Sequence, residues 1–391
     1  MDKNKIIIIL LAIGLYFVST GASYFLLSGR VSSQGSLSSP LPAPTAGVNG
    51  QLVFDNSLPK TEECPLNGVL YSKQQRQWWE KHRPLGVMIE NHENARPQSG
   101  ISSADVVYEA VAEGGITRFL AFYYCQDGGQ LGPVRSARTY FLDYASEYGD
   151  YPLYAHVGGA NQPGPADALS QLGDYGWTGY NDMNQFSIGF PTFWRDYDRL
   201  GHPAATEHTM YSTTQKLWDF AEKERELSNV SKDGTVWDED FVKYKFANDA
   251  ALSERPVSQT VHLEFWKGDA NYYIDWIYNS KTNLYQRENG GKPQIDRNNN
   301  KQLTAKNIVV LLMKEQSAND GYENNVHLLY RNKGTGKAVV FQNGKRIDAT
   351  WAKANRKART IIKDASGNEI NFARGLIWFE IFPTDGVLNV K

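Results

Sequence analysis

The sequence is short of several residue types, and each shortage removes a class of function. Only two cysteines, Cys64 and Cys125, occur in 391 residues. Neither lies in a CxxC pair and no His/Cys spacing builds a zinc site, so neither a metal nor a cofactor is expected. His202 and His208 bracket Glu207, but His-x5-His is not the spacing of a metal centre. Net charge is only −2, which leaves no chain-wide basic field for nucleic acid. Lysine is missing altogether between residues 82 and 215, where Arg83, Arg96, Arg118, Arg135, Arg138, Arg195 and Arg199 stand instead. A guanidinium grips a carboxylate or phosphate through a rigid two-pronged fork that an ammonium lacks. This window therefore calls for internal ion pairs or an anionic ligand.

Charge is also absent from residues 6–27, which follow Lys3 and Lys5. As a helix this run would reach about 33 Å, enough to cross a bilayer core of about 30 Å. The preceding lysines put its N-terminus in the cytoplasm and the bulk of the chain outside. Residues 1–30 are thus expected to form a single-pass transmembrane anchor, with a cleavable signal peptide as the alternative. Residues 31–60 are rich in Ser, Pro and Gly and read as a flexible tether.

Residues 61–245 have the pattern of an α/β (α+β) domain. The run 85–89 suits a buried strand. Residues 103–113 suit a helix opened by a Ser102-x-x-Asp105 capping box or, the favoured reading, a strand that pairs with 117–124 through Gly114-Gly115 as a β-hairpin with Glu109 diagonal to Arg118 on one face. Thr139 is a candidate N-cap for a helix reaching Glu147, and 214–227 is an amphipathic helix. A charged joint leads to residues 256–391, a smaller β-rich C-terminal domain. Its alternating Val261/Leu263/Phe265 and Ile274/Trp276/Tyr278 and its Asn343-Gly344 turn suggest a small barrel or sandwich. Cys64 and Cys125 fit a single bridge or two buried thiols equally well.

The candidate site lies in Gly132-Pro133-Val134-Arg135-Ser136-Ala137-Arg138. Two arginines and a serine ahead of a helix start are the parts of an anion site. Arg96, Arg118, Arg195 and His208 are candidate additions to the ligand-binding set. Glu109, Glu113, Asp143 and His156 are the candidate acids and bases for catalysis. Most of the 22 tyrosines and 10 tryptophans are expected in strands and cores, while those of 176–194 offer flat faces for sugar.

Several pieces are similar to one family. They are VMIENH, ARPQSGISSADVVYEA, EGGITRF, GPVRSAR, HVGG and EHTMYSTTQKLW, then DWIYN, NIVVLL, VVFQNGKRIDATWAK and GLIWFEIFP. Together they resemble the YerB-like two-domain bacterial envelope proteins, a family without an established function. The resemblance covers about residues 84–383 and implies an outer-surface location, an N-terminal α/β domain and a C-terminal β domain. It carries no catalytic assignment. Two departures stand out: the family is often lipid-anchored where this chain has an apolar span, and Glu90 stands where the pattern leads one to expect Asp.

Three readings follow. The first is a module that binds an anionic cell-envelope glycan or phosphate through an Arg-rich cleft. The second is an envelope-polymer hydrolase or phosphoglycosyl transferase using Glu or Asp, with arginine stabilising developing charge. The third is a scaffold whose arginines pair internally and which docks a protein partner. Whether the chain is an enzyme is left open.

Overall fold

The computed structural model describes residues 41–391 and, before them, residues 2–4, 7, 13–16 and 18–19. Most of the apolar run 6–27 lies outside the described residues. Among those described, no helix is long and apolar enough to cross a membrane. Residues 44–391 form one compact unit.

The strands that position the site are β1 (Leu85–Glu90), β2 (Val106–Glu113), β3 (Ile116–Tyr123), β4 (Leu153–His156) and β5 (Asp182–Asn184). From the second half come β6 (Thr260–Glu264), β7 (Ile274–Asn279), β8 (Leu284–Asn289), β9 (Asn307–Met313), β10 (Glu315–Ser317) and β11 (Leu328–Tyr330). The chain ends with β12 (Gly334–Gln342), β13 (Lys345–Lys353), β14 (Ile361–Asp364), β15 (Ile377–Pro383) and β16 (Val387–Val390). The helices used below are α1 (Lys73–Trp79), α2 (Thr139–Ala145), α3 (Ala168–Asp174) and α4 (Thr214–Arg225).

One ten-stranded sheet runs in the order β5-β4-β1-β3-β2-β15-β9-β12-β13-β14. Its central strands are near-continuous apolar runs such as LGVMIE, NIVVLLM and IWFEIFP, as strands covered on both faces require. The expected hairpin of β2 and β3 is present, and 106–113 is strand rather than helix. The second half does not close on itself as a barrel or sandwich. Its β15 pairs in parallel with β2 of the first half, from Ile377↔Val106 to Glu380↔Glu109. Ile377, Trp378, Phe379 and Ile381 have no exposure, so β15 must be covered on both faces, and the edge of β2 completes its ladder. Of the other strands of that half, β8-β7-β6-β16 form an antiparallel sheet, and β10 and β11 pair as a separate ribbon. The antiparallel sheet meets the large sheet where the rings of Trp276 and Trp378 lie 5.1 Å apart, edge to face.

Cys64 and Cys125 are joined as a disulfide, which ties the start of the folded body to the end of the β3 segment.

Candidate functional site

Parallel β1, β4 and β5 end on the same side of the sheet, and β1 and β4 carry Glu90 and His156 there. Ligands of open α/β sheets sit at such carboxyl ends. The loop 132–138 crosses them: Arg135 N–H donates to Met88 O (2.9 Å), Val157 N–H to Arg135 O (3.0 Å) and Ala137 N–H to Gly158 O (2.9 Å). Register places Arg118 directly opposite Glu90. The expected arginine cluster is therefore assembled, and the loop is stitched to two strands.

Its partners are internal. Arg135 pairs with Glu90. Arg118 donates to Glu113 (2.9 Å) and to Ser136 O (3.1 Å). Arg138 donates to Glu113 and to Ala137 O. Burial opposes ionisation of Glu90, but Arg118 and Arg135 outweigh it and hold its carboxyl below the usual range. Burial likewise opposes ionisation of Glu113, while Arg118, Arg138 and Arg135 bring it down to about 2. Three cations and two anions thus form one network with a net positive charge, with side-chain exposure of 1% at Arg118 and 6% at Arg138 but 22% at Arg135 and 29% at Glu113. His208 stacks on His92 with centroids 4.9 Å apart and approaches Glu90 at 3.8 Å, and burial lowers its pKa.

The hairpin register corrects the expected place of Glu109. A bulge between Val111 and Glu113 puts Ala110 opposite Arg118 and Glu109 opposite Phe119, so Glu109 is not diagonal to Arg118 on one face. Because a one-residue shift turns a side chain to the other face, Glu109 points away from the arginine loop. It accepts from Arg287 at 2.9 and 2.7 Å, from Thr117 Oγ1 at 2.7 Å and from Trp378 Nε1 at 3.1 Å, with no exposure. The helix is also shorter than expected: α2 begins after Arg138 as N-cap, with no side-chain cap, and ends at Ala145.

The other candidates sit apart from the cluster. Asp143 accepts from Lys333 Nζ (2.5 Å) and Tyr175 OH (2.6 Å). His156 is buried with both ring nitrogens at 2.6 Å from oxygen acceptors, Gly158 O and Asp182 Oδ1. Arg195 donates to Thr206 O and to Thr209 Oγ1.

Of the candidate ligand-binding residues Arg96 lines an open cleft, and the candidate acid Asp143 lines another beside Lys333. Residues 93–97 form one wall of the Arg96 cleft, and residues 271 and 289–300 of the second half form the other, enclosing about 500 Å³. Arg96 donates to Asn91 O (2.9 Å) and Asn271 O (3.1 Å), with its guanidinium 5.2 Å from the Tyr272 ring centroid. All of these partners are uncharged. Burial therefore pushes the Arg96 guanidinium down to about 10. Arg297, on the same cleft, donates to Arg199 O at 3.2 Å. Among the described residues no carboxylate lies within ion-pair distance of Arg96, Lys292 or Arg297, and the cleft's one acidic side chain is Glu93. Amides of Asn94, Asn271, Asn289, Gln294 and Asn300 complete the lining. Asn289 is 3% exposed, and its Oδ1 has no hydrogen-bond partner.

Sequence reasoning missed Lys292 and Arg297. They stand in GGKPQIDRNNN, a segment with loop composition, and reach Arg96 because that segment bonds to the first half, with Arg297 N–H donating to Gln98 O at 2.7 Å and Gly100 N–H to Asp296 Oδ1 at 2.9 Å.

The chain matches two families, described as "Protein of unknown function (DUF3048) N-terminal domain" over residues 68–228 and "Protein of unknown function (DUF3048) C-terminal domain" over residues 261–379. It is 28% identical over 328 residues to "Putative lipoprotein YerB" of Bacillus subtilis (strain 168), covering 83% of this chain and 87% of that protein. The crystal structure of YerB from Bacillus subtilis superposes with a TM-score of 0.68 at 25% identity, covering 85% of this chain and all of the other.

Proposed function

Because the chain belongs to the DUF3048 family, carrying both its N- and C-terminal domains, we propose that it is an extracytoplasmic binding protein held at the cell membrane. Its ligand is an anionic cell-envelope glycan or a phosphate-bearing fragment of one, and the Arg96 cleft holds it. The apolar run 6–27 anchors the chain, the 31–60 segment tethers it, and 61–245 and 256–391 are the two domains whose seam forms the cleft. The name of the Bacillus subtilis relative as a lipoprotein supports the location.

One observation carries the reading. Arg96, Lys292 and Arg297 gather on one concave surface without an ion-pair partner, whereas Arg118, Arg135 and Arg138 each pair with Glu90 or Glu113. Three like charges on one concave, partly buried surface repel one another, so such a cluster gains when an anion enters. Amides along the walls supply donors and acceptors for sugar hydroxyls.

Isothermal titration of the full chain with cell-wall fragments and teichoic-type polymers tests this. Binding is expected, weakened about tenfold or more in Arg96→Gln, a loss of about 1.4 kcal/mol. Absence of heat with every envelope fraction, or equal affinity in the variant, would overturn it. The scaffold reading draws on the internal Glu113–Arg118–Arg138 network, and crosslinking in membranes would then capture one protein stoichiometrically.

A further inference from the structure

Between the two halves, α2 and the β10–β11 ribbon also enclose a second cleft of about 470 Å³. Glu315 pairs with Tyr330 in the ribbon, and Arg331 N–H donates to Lys314 O at 3.0 Å. Lys314 and Arg331 are therefore cross-strand neighbours at the ribbon's end. Like charges placed directly opposite one another destabilise a pair of strands. Both side chains are exposed, and among the described residues neither makes an ion pair or a side-chain hydrogen bond. The third cation, Lys333, is fixed by Asp143, whose other oxygen takes the Tyr175 hydroxyl.

This cleft shares Pro165 and Gln171 with a neighbouring one of about 630 Å³, so the two form one trough. The chemistry changes along it. The first part presents cations, and the second presents Ser170 and the carboxylates of Asp167 and Asp174. Asp167 is occupied in capping α3, accepting from Ser170 N–H at 2.9 Å, while Asp174 is exposed. Carboxylates accept hydrogen bonds from sugar hydroxyls and repel anions, so a polyanion does not suit the second part.

We propose that this trough is a second ligand site, separate from the Arg96 cleft, for an oligosaccharide that carries a single anionic group at one end. The anion lies between Lys314 and Arg331 and relieves their repulsion. The neutral rings run past Gln171 toward Asp174.

The test uses the full chain with three probes: inorganic phosphate, chitotriose, and chitotriose 1-phosphate. The phosphorylated trisaccharide is expected to bind more tightly than either of the other two. The exposed double variant Lys314→Gln/Arg331→Gln should lose tenfold or more of that affinity with a melting temperature no lower than the parent's, since it removes the opposed charges. Asp174→Asn should weaken chitotriose 1-phosphate about threefold and leave phosphate unaffected. Arg96→Gln should leave this binding in place, so the two sites stand or fall separately. Equal affinity in the double variant, equal binding of the phosphorylated and unphosphorylated trisaccharides, or loss of all binding in Arg96→Gln alone would each overturn the proposal.

Discussion

Glu109 and Glu380 face each other on neighbouring parallel strands, and the guanidinium of Arg287 reaches both. Each of the three side chains has no exposure, and Trp276, Trp378 and Phe119 ring the guanidinium at 5.0, 4.6 and 5.6 Å. Arg287 comes from β8, Glu109 from the first half and Glu380 from β15. The cluster therefore pins the second sheet to the strand pair that joins the halves.

One guanidinium cannot balance two carboxylates. Burial, and then the charge of Glu109, push the Glu380 carboxyl well above its usual 4.5. A raised folded-state pKa gives a contribution fully present below the unfolded value and lost as pH rises toward the folded one. Glu380→Gln keeps a neutral group in place. Its melting temperature relative to the parent should rise between about pH 5 and about pH 8. Arg287→Leu, which leaves Glu109 buried without a counter-charge, should lose about 3–5 kcal/mol at neutral pH in urea titration.

Glu113 has the opposite sign. Its pKa near 2 lies below the unfolded value, so its contribution is present above about 4.5 and fades as pH falls toward about 2. Glu113→Gln should cost about 3 kcal/mol at neutral pH, because Arg118 and Arg138 lose their shared anion. Denaturant midpoints should converge with those of the parent in acid. A constant difference across pH would show that packing, rather than charge, holds the loop.

Asp105 lies against the bridge between Cys64 and Cys125. It accepts Tyr124 N–H and Cys125 N–H at 2.8 Å and Asn67 Nδ2 at 2.7 Å, and burial still raises its pKa to about 7. Stability from this group is full below about 3.8 and is lost as pH rises through about 7. Asp105→Asn should match the parent below about pH 3.8 and gain on it between about pH 3.8 and about pH 7, read by thermal melts. Reducing the bridge, which closes a loop of 61 residues, should destabilise the folded unit by roughly 2–5 kcal/mol.

Local pattern made some of this legible. The apolar runs of β1 and β3, the glycine pair of the hairpin and the Asn343-Gly344 turn all reach the structure as strands and turns. The arginine loop was visible as a cluster because its members lie close in sequence. What could not be read was which acid each arginine meets. A single bulge in β2 sends Glu109 to Arg287, 178 positions away, and leaves Glu113 to Arg118 and Arg138. The Arg96 cleft was hidden for the same reason. Lys292 and Arg297 have no local signature, and their segment reaches Arg96 through long-range contacts such as Arg297 N–H to Gln98 O and Gln294 Nε2 to Asn91 Oδ1.

Arg96 offers the most direct test of the binding reading. A ligand that binds the folded chain alone stabilises it by RT ln(1 + [L]/Kd), about 2.7 kcal/mol at one hundred times Kd. An anion in the cleft also returns a counter-charge to a guanidinium that burial has pushed down to about 10. Envelope polymer should therefore raise the melting temperature of the parent chain. The rise should shrink with added salt, because Lys292 is exposed and screened. Arg96→Lys keeps the charge but loses the fork that holds Asn91 O and Asn271 O, and should retain only part of the shift. Arg96→Gln should abolish most of it. Unliganded melts of both variants separate the structural bonds of Arg96 from its charge. A shift of equal size in all three chains would mean that the polymer binds elsewhere and that Arg96 serves only to join the two walls.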